Sequence, residues 1–250
     1  MSDPHSLSYS LARRQRGAAL IESAVALGAV LLVALTAVEV MHWQLMRQLA
    51  YVALTEAARA GATGHARPGL IAQAFEAALL PRHASPGGQP EAVLMMQAAL
   101  ARTARRVGMP AWHITILRPG TAAYADFSQP EFRVPAAAGL LAVRNDYQAE
   151  QHAAYRSRWP GGLGPRSGLT IFQANTLRLR LRYLVEPITP IGGLAMRTMA
   201  VLPGSAACIR RALSAGVLPL SMTLTMDMQS HPVRWPANDH PQINEDDNAC

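Results

Sequence analysis

The sequence predicts an α+β protein: a single N-terminal transmembrane helix that extends into a long helical spine, packed on a small exported head with an antiparallel sheet. Three observations lead there. Residues 18–38 carry one charge, Glu22, and as a helix rising ~1.5 Å per residue they reach ~31 Å, close to the ~30 Å hydrocarbon core of a bilayer. Beyond them Leu45, Leu49, Val52 and Ala53 recur at helical spacing, with Gln44, Arg47, Gln48, Glu56 and Arg59 on the other faces. Two late stretches, residues 176–185 and 218–228, alternate apolar and polar side chains with the period of two that a half-buried strand requires. The expected organisation is a basic leader over 1–17, the transmembrane helix over 18–40, its amphipathic continuation over 41–64, an α+β head over 65–230 and a mobile tail over 231–250.

Arg13, Arg14 and Arg16 precede the apolar run, which places the N-terminus in the cytoplasm and sends the body across the membrane. A cleaved secretory signal fits less well, because 21 apolar residues exceed the usual hydrophobic region of ~7–15 and no Ala-x-Ala site closes it. Glu39 marks the end of the run. His42 and Trp43 stand where an interfacial belt belongs, and Gly61 and Gly64 are the expected stop signals near Thr63.

In the head, residues 68–80 read as a short helix opened by Pro68 and closed by Pro81, and 82–90 as a Pro/Gly loop. Residues 91–107 form a stronger helix, with Arg102, Arg105 and Arg106 at the negative end of its dipole. Residues 112–117 are β-rich. Residues 118–135 read as a loop with a short strand at 132–134, and 136–158 leave helix and irregular chain both open. The strand over 176–185 sets Leu177, Leu179, Leu181 and Tyr183 opposite Arg178, Arg180 and Arg182. That Arg face is either solvated or a grip for an acidic partner or lipid headgroups. Residues 188–202 are apolar but interrupted by Pro190, Gly192, Gly193 and Arg197, too broken for a second span. They are expected mainly as buried core, with a membrane-hugging or partner-facing helix as the alternative. The strand over 218–228 should pair with 176–185 in one antiparallel sheet on the spine.

The formal charge is +7, and all 23 basic residues are arginine. They are scattered rather than interleaved with aromatics, so no nucleic-acid partner is expected. Without lysine there is no Walker loop, and His-Glu-x-x-His, Cys-x-x-Cys and Gly-x-Ser-x-Gly are absent. The eight histidines are dispersed, so no metal site, no cofactor and no enzymatic activity are expected. Asp126-Phe127-Ser128 does not extend to an Asp-x-Ser-x-Ser metal motif. Cys208 and Cys250 are the two cysteines. In an oxidising compartment they allow one bridge, tying the C-terminal end to the body, against a buried thiol and a frayed last residue.

Arg16-Gly17 followed by four small or apolar residues, Glu22 and a long apolar run has the pattern of a type IV prepilin-like leader. With Tyr51-Val52-Ala53-Leu54-Thr55-Glu56-Ala57-Ala58-Arg59-Ala60-Gly61 downstream, residues 14–64 resemble the TadE-like family, pseudopilins of the bacterial Tad (Flp, type IVb) pilus machines. Residues 218–232 resemble the end of such proteins more loosely. The resemblance implies a pilin-like spine, a single-pass inner-membrane protein with a periplasmic head, and cleavage between Gly17 and Ala18 by a prepilin peptidase. It also implies partners among inner-membrane lipid, other pseudopilin subunits and the Tad machinery. Glu22 would then be an assembly or register charge, against the plainer reading of a carboxylate snorkelling to the interface. The alternative function is an uncleaved, signal-anchored periplasmic binding or scaffold protein that docks another envelope component through its Arg-lined strand.

Overall fold

The computed structural model describes residues 5–129, 131–204, 206–237 and 239–245, with the backbone alone over residues 5–19. Helix α1 runs unbroken over His5–Thr63, 59 residues. It starts well before Ala18, since Leu7, Ala12 and Arg13 to Arg16 are good helix formers and Gly17 alone is a weak break. It stops where expected, with Gly64 N donating to Ala60 O at 2.8 Å and Ala66 N to Gly61 O at 2.8 Å. His65 and Ala66 then take left-handed φ of 57° and 58° and reverse the chain. Gly61 is not a stop but a packing residue inside the helix: a Cβ there would lie 2.7 Å from Leu177 Cδ2 and 2.9 Å from Ile71 Cγ1.

α1 divides sharply by burial. From Leu20 to Val38 every side chain is exposed except the half-buried Leu35. Burial begins at Glu39 and continues through Met46, Ala50, Ala53, Leu54, Ala57, Ala58 and Ala62. Most of these are alanines, so the head comes close to the helix axis over this face.

A four-stranded sheet packs on that face, in the order β3-β2-β1-β4. β1 (Trp112–Arg118) and β2 (Thr176–Val185) are antiparallel, as are β2 and β3 (Leu218–Asp227). Leu177, Leu179, Leu181 and Tyr183 sit opposite Met226, Leu224, Met222 and Leu220, and this apolar side faces α1. The sheet is mixed rather than purely antiparallel, because β4 (Ile243–Asn244) joins β1 in parallel. Helix α2 (Pro68–Leu79) closes the core with Ile71, Ala72, Phe75 and Leu79, and the Phe75 ring lies 4.9 Å from that of Trp112.

Helix α3 (Gly88–Val107) begins three residues before Glu91, because the Glu91 carboxylate folds back to accept from Gly87 N at 2.8 Å. The loop expected over 118–135 contains α4 (Thr121–Phe127), and residues 132–134 are not a strand. Helices α5 (Gln148–Arg156) and α6 (Ile171–Ala174) follow. Phe127, Tyr155 and Trp159 form a small aromatic cluster there, with Tyr155 and Trp159 stacked at 5.0 Å. Helices α7 (Pro190–Met199) and α8 (Ala207–Ser214) lie between β2 and β3.

Of the tail expected to be mobile over 231–250, residues 231–237 and 239–245 are packed instead, and the rest lies outside the described residues. Gln229 N and Ser230 Oγ donate to Ala62 O, while Val233 N and Trp235 Nε1 donate to His65 O, so this segment satisfies carbonyls that the end of α1 leaves open. His240 stacks on Trp112 at 5.8 Å. Local polarity hid this, because the ordering groups are backbone and ring contacts.

Candidate functional site

The most distinctive arrangement lies where the bare half of α1 meets the head. Glu39 is 2 % exposed. Its Oε2 accepts from Thr189 N at 2.8 Å and from Thr189 Oγ1 at 2.7 Å, and its Oε1 from Ile188 N at 3.3 Å. Thr189 is the N-cap of α7, and its hydroxyl oxygen in turn accepts from Gly192 N at 3.1 Å. Glu39 thus caps the positive end of the α7 dipole, and three donors satisfy an acid that burial would otherwise make costly. One turn further along α1, His42 Nε2 lies 3.3 Å from Glu186 O. Glu186 reaches α3 as well, accepting from Thr103 Oγ1 at 2.7 Å and pairing with Arg106 at 3.4 Å. The segment leaving β2 is therefore fastened to α1 immediately after its apolar run ends.

Glu22 stands on the bare half, exposed, and no hydrogen bond or ion pair reaches its side chain among the described residues. From Glu22 to Glu39 the helix rises ~26 Å. Two acids on one helix thus have opposite surroundings. Residues 20–63 of α1 hold the stretch that is long and apolar enough to cross a membrane.

The remaining sequence candidates fall apart in space. Arg13, Arg14, Arg16, Gly17 and Ala18 lie on the helical backbone of α1, and their side chains are outside the described residues. Cys208 is buried on α8, with Arg182 Nη1 3.7 Å from its Sγ; its expected partner Cys250 is outside the described residues. Arg178, Arg180 and Arg182 do not form a freely solvated face: each is half-buried, in a layer with His113 and Thr115 of β1. His113 is pushed down to about 4, chiefly by burial and also by the Arg182 guanidinium. Asp126 accepts from Ser167 N and Ser167 Oγ, both at 2.7 Å, and so fixes the loop at 164–168. No group of three or more His, Cys, Asp or Glu side chains is placed to hold a metal ion among the described residues.

Sequence reasoning passed over Glu39 as a mere boundary. The signal for its partner was Thr189-Pro190, an N-cap residue followed by proline at the first helical position. Residues 188–202, expected mainly as buried core, instead form a helix and turn with a largely exposed apolar side: Leu194 is 62 % exposed and Val201 84 %. Pro190 starts that helix rather than breaking it, and only Gly192 and Met196 turn inward.

No family model, curated protein or solved structure matches this chain.

Proposed function

We propose that the chain is a TadE-like minor pseudopilin, a structural component that assists assembly of a Tad (Flp, type IVb) pilus. In this reading it sits in the bacterial inner membrane, N-terminus cytoplasmic and head periplasmic, and performs no catalysis. The observation that carries it is the two-part α1: a bare apolar half bearing the lone carboxylate of Glu22, continuous with a small-residue half that holds the head. A filament subunit needs both, one surface for stacking on neighbouring helices and one for displaying a folded domain. Prepilin peptidase would cut after Gly17 and leave Ala18 as an amine. On a neighbouring subunit that amine would neutralise Glu22, and the penalty for an unpaired carboxylate among apolar groups would set the register of adjacent helices.

The test is the intact mass of the protein purified from the membranes of its native host. Loss of residues 1–17, with or without one added methyl on Ala18, is the expected result. A full-length mass in cells with active peptidase overturns the processed pseudopilin and favours the uncleaved anchored scaffold. Docking of that scaffold through Arg178, Arg180 and Arg182 is weakened by their half-burial in the head.

A further inference from the structure

We infer that α7 and the turn after it form a second membrane contact, lying in the headgroup region of the bilayer that α1 crosses. The inference rests on the membrane-anchored reading of α1. Its first support is position: Glu39, the first buried residue after the bare segment, caps the N-terminus of α7 through Thr189. That pin sets the start of α7 at the level where the apolar run ends. Its second support is the apolar side itself. Ile188, Leu194, Val201 and Leu202 are 56 %, 62 %, 84 % and 60 % exposed, within one short segment. Leu194 and Thr198 share a face of α7 opposite the inward-turned Gly192 and Met196, and Val201 and Leu202 follow in the exposed turn.

The third support is continuity. Val38 and Val40 on α1 are also exposed, to either side of the pin, so apolar side chains of the spanning helix flank the point where α7 is held. Exposed Arg197 lies one turn from Leu194 on α7, and Arg211 is exposed on α8, which packs on α7; cations at such a surface favour anionic headgroups. A soluble partner has no comparable claim, because the patch lies against the level that lipid already occupies. Burying these four large apolar side chains in lipid would be favourable over leaving them in water. With the head held at Glu39 and again at α7, the head would be fixed in tilt as well as in height.

The experiment uses the full chain in nanodiscs of phosphatidylethanolamine and phosphatidylglycerol. A genetically encoded naphthalene fluorophore replaces Val201, Val30 on the bare half of α1, or Leu141 as a distant site. Leu141 neighbours the far end of the spine, since its carbonyl accepts from Arg234 N and Val233 N donates to His65 O. Expected is quenching of the position-201 probe by doxyl lipid several-fold above that at position 141, with iodide quenching in the reverse order. Strong lipid quenching at 30 with only iodide quenching at 201 would overturn the inference and leave the anchor standing. Shielding of 201 from both quenchers would also overturn it, and would assign the patch to a second copy of the chain. No lipid quenching at 30 would overturn the anchored reading itself, and the inference with it.

Discussion

Gly192 has no side chain where Glu39 needs space: a Cβ there would stand 2.6 Å from Glu39 Cδ and 2.8 Å from Oε2. This is why the acid can sit over the first turn of α7 and accept from Thr189 N and Oγ1. A glycine in a helix costs ~1 kcal/mol relative to alanine, and here that cost is offset by a satisfied buried carboxylate. The same glycine that made residues 188–202 look broken in sequence makes the contact with the spine.

Gly192→Ala should therefore loosen the junction despite raising helix propensity. Hydrogen exchange at the Thr189 amide should speed by an order of magnitude or more, in line with ~1.5–3 kcal/mol for a hydrogen bond to a charged group. Glu39→Leu should do the same, and Glu39→Gln less, since its amide oxygen can still accept. Unchanged exchange in both Gly192→Ala and Glu39→Leu would show that the head is held elsewhere.

Gly61 poses the same question inside the spine. Leu177 Cδ2 and Ile71 Cγ1 crowd the position of its missing Cβ, so Gly61→Leu should overpack the core and cost about 1–3 kcal/mol. Gly28→Ala, where a methyl meets nothing within 4 Å, is the control and should not destabilise the protein in micelles. If chemical denaturation finds the two variants alike, the close packing of spine against β2 is not as described.

His113 gives the head a pH dependence of definite sign. Burial, aided by Arg182, lowers its folded value from 6.5 to about 4, so the unfolded chain takes up the proton first. Stability is then full above about pH 6.5 and falls as pH drops toward 4, by up to ~3 kcal/mol. Burial lowers His83 and His231 in the same direction, and they add to the trend. Denaturant midpoints at pH 7.5 and 4.5 should differ clearly in the wild type and much less in His113→Gln. An equal drop in both would remove His113 as the cause.

Patterns of one period were legible in the sequence. The alternation of Leu177, Leu179, Leu181 and Tyr183 with three arginines gave β2 its ends, and the apolar run with its alanine-rich extension gave α1 its C-terminal end. What stayed hidden was set by distant partners. Val233 and Trp235 are ordered by the open carbonyl of His65, far away in the chain, and β4 by a parallel pairing with β1 that no local pattern announces. Periodicity also placed the arginines of β2 on one face without saying that the rest of the head half-buries them. At the candidate site the sequence marked Glu22 by its isolation among apolar residues, yet read Glu39 as a boundary because its three donors come from residues 188 and 189.

The contrast between the two acids yields the last prediction. Glu39 is fully engaged within its own chain, whereas Glu22 is exposed on the bare half with no partner among the described residues. A carboxylate in lipid is expensive and persists where something outside its helix answers it. Under the proposed function that answer is the Ala18 amine of a neighbouring subunit, so Glu22→Ala should leave membrane insertion and head folding intact while abolishing pilus assembly. Glu22→Gln should behave nearly as badly, because its amide keeps the hydrogen-bonding shape but loses the charge that the amine requires. Glu39→Leu in the same cells should reverse the pattern, loosening the head while leaving the stacking charge in place. Piliation scored by microscopy, alongside membrane fractionation, separates these outcomes, and normal pili in Glu22→Ala would remove the proposed role of that residue.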